Sequence, residues 1–343
     1  MGSHRRLAPS GPNRGHGLTV TVLSAATAAA AALGVTPADA EPQDRPADAR
    51  AEVDRLYREA EKATEAYNKA DEHADALRSQ VAKSRDRIAR QQERVNTMRG
   101  ALGSLAGAQY RSGGIHPSVA LMFADDPDDY LDKATALNRI GVRQAGKLRD
   151  LEDALRELAQ ERAETIRALG ELEKSREAVA RHKRTVERKL ARARRLLNTL
   201  PDAERAAYER ASRSGRAGTP APQGAEPASG RAAAAVAAVR SALGKPYVWG
   251  ANGPSGFDCS GLMQWSYAQA GVGLPRTSQA QQHAGRQVPL SQAQPGDLVI
   301  YRSDASHVGM YVGDGQVIHA PYPGAPVRHD PVGMMPVSSV TRV

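Results

Sequence analysis

From Val53 the apolar positions recur in steps of three and four: Val53, Leu56, Ala60, Ala63, Tyr67, Ala70, Ala74, Leu77 and Val81, then Ile88, Val95, Met98, Leu102 and Leu105. Ser84 and Gln91 are the polar defects in this stripe. Such a period buries one face of a long helix against another, so the spacing predicts a coiled-coil strand. A second run, through Leu151, Leu155, Leu158, Leu169, Leu172, Val179, Val186, Leu190 and Leu197 to Leu200, continues the pattern. It places Arg162, Arg176 and Lys183 on the seam, which predicts a weaker core. Between the two runs, residues 100–134 carry Gly113-Gly114, His116-Pro117 and Asp125-Asp126-Pro127-Asp128-Asp129. These breakers predict the tip of an antiparallel hairpin, at about 100–135, with short helices near 102–110, 118–123 and 128–137.

Pro201 interrupts the second helix, and residues 211–230, rich in Gly, Pro, Ala and Ser, read as a flexible linker. After it the pattern changes. A helix is predicted over 231–243, a second one opening at Cys259, and a short one near 278–284. Strands follow near 298–301, 307–312, 317–320 and 337–343. Helices first and antiparallel strands afterwards make this an α+β domain. It holds both tryptophans, Phe257 and five of the ten tyrosines, so only this part has the bulk for a globular core. The expected organisation is a leader over 1–40, a helical hairpin over 41–210, the linker, and a carboxy-terminal domain over 231–343.

Charge and leader refine the picture. The 343 residues carry 47 Lys+Arg against 38 Asp+Glu, a net charge of +9, which favours polyanionic surroundings. Residues 181–195 are densely basic but lack aromatic residues to stack on bases, so nucleic acid is not an expected partner. His4, Arg5, Arg6 and Arg14 precede an alanine-rich apolar stretch over 18–35, and Ala38-Asp39-Ala40 fits a small-x-small cleavage site. The leader predicts secretion, with cleavage leaving no stable membrane insertion; an uncleaved anchor is the alternative.

The chain has one cysteine, Cys259, so an internal disulfide is excluded. Phe257-Asp258-Cys259-Ser260-Gly261 sets it at the start of a helix, where unpaired N–H groups and the dipole favour the nucleophilic thiolate. Downstream, Ser306–Val312 and Gln316–Ala320 flank Gly313-Asp314-Gly315 as a hairpin carrying His307 and His319 on opposite arms. With a three-residue loop and Val312 opposite Gln316, Gly309 opposes His319 and both imidazoles share one face. A Cys-His-His set results: Cys259 as nucleophile, His307 as its base, His319 fixing the tautomer of His307. Taken singly, each of these residues reads as an ordinary buried side chain. The spacing matches no usual metal site, so neither metal nor other cofactor is expected.

Six segments in order, Gly244–Gly250, Phe257–Gly261, Leu274–Ser278, Gln294–Leu298, His307–Tyr311 and Val317–Ala320, resemble the NlpC/P60 family of papain-like cell-wall endopeptidases. The resemblance covers about 233–343. It implies a papain-like domain that hydrolyses peptidoglycan stem peptides, most often between D-glutamate and the diamino acid, and it matches Cys259, His307 and His319 to catalytic positions. Tyr247 matches a tyrosine beside the nucleophile, where its hydroxyl could donate to the oxyanion. Asp258 caps the helix or binds a substrate amine, and Ser260 and Arg276 are candidates for the peptide's carboxylates. The hairpin is similar to those on secreted actinobacterial members. It implies partner docking, with a division-associated membrane complex, or autoinhibition. A non-catalytic wall-binding scaffold and another papain-like amidase or acyltransferase are the rival readings.

Overall fold

A computed structural model describes residues 46–111, 119, 127–213 and 226–343 of the chain. The predicted leader, the middle of the hairpin tip with the short helix expected at 118–123, and most of the linker lie outside the described residues. Among the described residues no helix is long and apolar enough to cross a membrane.

The two heptad runs form two long helices, α1 (Pro46–Arg111) and α2 (Pro127–Thr199). They pack along most of their lengths as a coiled-coil hairpin. The tip is shorter than the glycines and prolines suggested. Gly100, Gly103 and Gly107 are absorbed into α1 without a break, and Pro127 opens α2, a first-turn position that proline tolerates. The seam of α2 also differs from the expected one. Ala154, Leu158, Thr165, Ala168, Leu172, Ser175, Val186, Leu190 and Ala193 are buried, whereas Leu169 is 38% exposed and Arg162, Arg176 and Lys183 face solvent. The intermediate seam position therefore comes three residues after each of Thr165 and Leu172, at Ala168 and Ser175, not four. Small residues there bring the backbones close, and Ser175 Oγ donates to the Ala70 carbonyl across the interface at 2.8 Å. The core of this hairpin is narrow instead of basic.

Pro201 ends α2 as predicted, but the chain re-enters a short helix, α3 (Asp202–Arg213). The carboxy-terminal domain opens with α4 (Gly230–Ser241), capped by Ser229, and continues through α5 (Cys259–Gln269) and α6 (Ser278–Gln281). A six-stranded antiparallel sheet follows: β1 (Arg286–Val288), β2 (Leu298–Tyr301), β3 (His307–Gly313), β4 (Gln316–His319), β5 (Arg328–Pro331) and β6 (Val337–Arg342), in the order β1-β6-β2-β3-β4-β5. β1 and β5, both short edge strands with largely polar residues, carry no strand pattern legible in the sequence. The apolar sides of α4 and α5 pack on the central strands, and Leu262, Met263, Leu298, Ile300, Met310 and Ile318 are fully buried between them.

The β3–β4 hairpin reaches the predicted register by another route. Gly313 pairs with Gln316 around a two-residue turn, Asp314-Gly315, whose φ angles of 50° and 66° suit the primed turn that matches strand twist. An irregularity between Tyr311 and Gly313 then inserts one residue into β3, so Tyr311 faces Val317 and Met310 faces Ile318. Gly309 comes opposite His319, close enough that a Cβ on it would stand 3.2 Å from the Cβ of His319.

Candidate functional site

Cys259 is the first residue of α5, and the turn before it is fixed by Asp258. The Asp258 carboxylate accepts from the Gly261 N–H at 2.7 Å and the Gly250 N–H at 3.0 Å, and Arg276 donates to both its oxygens, at 2.6 and 3.0 Å. Gly261 has no room for a side chain: a Cβ would lie 2.2 Å from the Ala251 carbonyl. Asp258 is thus the helix cap and the partner of Arg276, fully buried, with no free oxygen facing a cleft. Arg276 also donates to Ser260 Oγ at 3.1 Å.

The two histidines meet at the end of the hairpin. His307 Nε2 lies 2.7 Å from His319 Nδ1, with the rings nearly perpendicular, and His319 Nε2 lies 2.8 Å from Asp330 Oδ2 on β5. Arg328 donates to the same Asp330 oxygen at 2.7 Å. Burial opposes ionisation of Asp330, but His319 and Arg328 outweigh it and hold its carboxyl below the usual range. Burial drives His319 down to about 4, against the pull of Asp330, so it is neutral and donates its one N–H to the carboxylate. Its Nδ1 then accepts, and the proton on His307 Nε2 is fixed by that acceptor. Asp330 escaped the sequence analysis because it sits on a polar edge strand.

The helix α1 lies over these groups. Glu61, Glu65, Asn68 and Glu72 follow one another at three- and four-residue steps on the face turned away from the seam. Glu61 bonds His307 Nδ1 through Oε1 and accepts from Arg302 Nη1 through Oε2 at 2.6 Å. Glu65 Oε1 accepts from Ser260 Oγ at 2.7 Å and stands 3.7 Å from the Cys259 sulfur, while Oε2 accepts from the Ser278 N–H at 2.7 Å. Asn68 donates to Asp258 at 3.1 Å, and Glu72 accepts from the Arg276 N–H at 3.3 Å. Around this polar row, Tyr57 stacks on Tyr322, Tyr67 meets Trp249 edge-on, and Lys62 pairs with Asp304.

This cover reverses the expectation for the thiol. Cys259 is 1% exposed, and burial, followed by the Glu65, Glu61 and Asp258 carboxylates, pushes it well above the ordinary thiol range. The helix start favours a thiolate, but three nearby carboxylates and the loss of solvent outweigh it. Glu65 is itself raised to about 7 by burial and by Asp258, against its bonds to Ser260 and Ser278 and the charge of Arg276. Burial opposes Glu61 too, but His307 and Arg302 hold its carboxyl below the usual value.

Tyr247 is buried in the same cluster as Cys259, and burial, then Cys259 and the three carboxylates, raise its hydroxyl, keeping it a neutral donor. The structure therefore gathers Cys259, His307, His319, Tyr247, Asp258, Ser260 and Arg276 at one place. Glu61, Cys259 and His307 offer ligand atoms within 4.8 Å of one another. The guanidinium of Arg302, bonded to the same Glu61, opposes a cation there.

The NlpC/P60 family model matches residues 244–339, the segment that holds these catalytic-domain groups. The match extends to individual proteins and to a domain whose structure is solved. A probable endopeptidase of Mycobacterium tuberculosis is 50% identical over 105 residues, 31% of this chain and 27% of that protein. A P60 domain from an antigen of M. avium subspecies paratuberculosis is 37% identical, covering 33% of this chain and 93% of that domain, with a TM-score of 0.31. Residues 244–339 carry an NlpC/P60 domain. A probable endopeptidase of Corynebacterium glutamicum is 48% identical over 123 residues, 36% of this chain and 58% of that protein. This chain thus spans 27% and 58% of the two curated relatives, and the NlpC/P60 likeness lies in the carboxy-terminal domain.

Proposed function

We propose that the chain is a secreted peptidoglycan endopeptidase that cleaves stem peptides between D-glutamate and the diamino acid, and that α1 holds it closed. The observation that carries the reading is the Glu61 carboxylate seated on His307 Nδ1 beside the Cys259 sulfur. With His307 Nε2 committed to His319, Nδ1 is the nitrogen left for the thiol. Once α1 withdraws, Nδ1 takes the Cys259 proton, and the thiolate attacks the scissile carbonyl. The new C–S bond forms a tetrahedral oxyanion, to which the Tyr247 hydroxyl and the Cys259 N–H donate. His307 returns the proton to the leaving amine, the C–N bond breaks, and water then hydrolyses the thioester. His319 and Asp330 hold the tautomer this sequence requires. Ser260, the Ser278 N–H and Arg276 remain as donors for a substrate carboxylate where Glu65 now sits.

Opening follows from a partner that engages the hairpin, such as a division-associated membrane complex; Ile140, Val142, Leu148 and Ile166 are apolar and exposed on α2. Export rests on the leader read from the sequence. The test is digestion of purified sacculi by the full chain, by Glu61→Ala/Glu65→Ala, and by that variant with Cys259→Ala. The double variant is expected to release fragments cut at the D-glutamyl bond, the full chain far fewer, and the Cys259→Ala protein none. Equal turnover by the full chain and the double variant would remove closure by α1. Absence of fragments throughout would remove the endopeptidase, and fragments ending at another bond would point to a different acyl reaction.

A further inference from the structure

Arg302 takes its carboxylate partner from α1. It lies in the turn after β2 at a φ of 65°, a region that side chains rarely adopt. Backbone bonds hold it there: its N–H donates to the Pro336 carbonyl at 2.8 Å, and its carbonyl accepts from Ala305 at 3.0 Å. Its guanidinium donates to Glu61 at 2.6 Å and Ser306 Oγ at 3.1 Å and touches the Met335 sulfur. Among the described residues, the one carboxylate paired with it is that of Glu61. Withdrawal of α1 therefore strips this cation of its counter-ion. The uncovered guanidinium is then free to pair with an incoming anion, to which it can give charge-assisted hydrogen bonds.

The position of the Glu61 carboxylate identifies the anion. One carboxylate of Glu61 bridges Arg302 and His307 Nδ1, so the vacated site lies beside the nitrogen that protonates the leaving amine. A carboxylate carried on the same carbon as that amine can reach Arg302 while the amine itself faces Nδ1. A cleft of about 550 Å³ beside the vacated site is lined by Arg302, Tyr322, Met334, Met335 and Pro336 on one side and by Asp54, Tyr57, Arg58 and Glu61 of α1 on the other, so withdrawal of α1 uncovers it. We infer that Arg302 is a specificity residue for a free α-carboxylate on the amine-side residue of the scissile bond, so that stems ending at the diamino acid are preferred over those in which that carboxyl is amidated or extended. The inference rests on the endopeptidase reading of Cys259 and His307. It adds a determinant on the leaving-group side.

The experiment compares two synthetic peptides, alanyl-γ-D-glutamyl-diamino acid with its terminal carboxylate free and the same peptide as the terminal carboxamide. Both are offered to the full chain carrying Glu61→Ala/Glu65→Ala, with Arg302 intact, Arg302→Gln or Arg302→Lys. With Arg302 intact, kcat/KM for the acid is expected to exceed that for the amide on the order of 10- to 100-fold, the range of a charge-assisted bond. Arg302→Gln should bring the ratio near one by lowering the acid's value alone, and Arg302→Lys should keep part of it. Equal cleavage of both peptides, or a preference that survives Arg302→Gln, would overturn the proposal. Calorimetric binding of the two peptides to the Glu61→Ala/Glu65→Ala/Cys259→Ala form separates it from the reading beneath it. Acid-selective binding that depends on Arg302, without turnover in the reactive form, would sink the endopeptidase and keep the carboxylate site; unselective binding would sink the site.

Discussion

His319 Nε2 donates to Asp330 Oδ2 across 2.8 Å, and through that bond an edge-strand carboxylate decides where the proton sits on a ring it does not touch. With Nε2–H committed to Asp330, His319 Nδ1 accepts from His307 Nε2, leaving His307 Nδ1 as the lone-pair nitrogen beside the thiol once Glu61 is gone. Asp330→Asn can donate instead. Both tautomers then reverse along the chain, and the proton arrives on His307 Nδ1, where the base should be free. In the Glu61→Ala/Glu65→Ala background we expect kcat to fall on the order of 10²- to 10⁴-fold with KM little changed, as when the orienting carboxylate of a related triad is replaced by its amide. A loss smaller than tenfold would mean that the relay ends at His319.

Closure by α1 should depend on pH through Glu65. Its carboxyl faces Asp258, Arg276 and Cys259 from the carboxy-terminal domain, with Glu61 one turn away on its own helix, and its value in the closed state is about 7 against an ordinary 4.5. A group raised on closing takes up a proton, so its contribution is full below pH 4.5 and is lost as pH rises through 7. Glu61, held low, contributes the opposite dependence, lost only as pH falls through its depressed value. Between pH 6 and 8.5 the first effect governs, and the full chain opens as pH rises. Glu65→Gln keeps the neutral hydrogen-bonding form at every pH. The ratio of full-chain turnover to that of Glu65→Gln should therefore climb several-fold across pH 7, and a flat ratio would refute the assignment.

Cys259 and both histidines were legible because each lies in a segment whose local chemistry is diagnostic: a capped helix start and a tight hairpin. Even the register of Gly309 against His319 was legible, although one residue inserted near Val312, not a longer loop, supplies the odd offset. Glu61 and Glu65 were not. A glutamate on a long charged helix ordinarily points to water, and Glu65 has Lys69 four residues on, which reads as a solvent ion pair. Their function comes from a second helix face docked on a domain some 190 to 250 residues away. The phase of α2 was misread for a related reason. Leucine outweighs alanine and serine in any hydrophobic count, yet the close approach of α1 admits only Ala168 and Ser175.

That phase is testable by stability. Ala168→Leu places three extra carbons in a seam where the alanine is 8% exposed, and overpacking of this kind costs about 1–3 kcal/mol. Leu169→Ala, at a position 38% exposed, should change stability by no more than about 0.5 kcal/mol. Thermal or denaturant unfolding of the two variants should rank them in that order. The reverse order would restore Leu169 to the seam and with it the basic seam first expected.

The last prediction concerns the sulfur itself. As the chain's single thiol, Cys259 gives an unambiguous alkylation signal in the native protein. In the closed state it is buried and held as a thiol by Glu65, Glu61 and Asp258, so neither access nor charge favours attack. Removing Glu61 and Glu65 takes away two of the three carboxylates and the bonds that seat α1. The rate of iodoacetamide capture should rise at least tenfold in Glu61→Ala/Glu65→Ala relative to the full chain, while Glu59→Ala, on the same helix but paired with Arg55 and Lys189 outside the site, should leave it unchanged. Equal rates in all three proteins would mean that α1 does not cover the sulfur in solution. A rise in Glu59→Ala as large as in the double variant would locate the control in the hairpin's own stability instead of in the two carboxylates over the site.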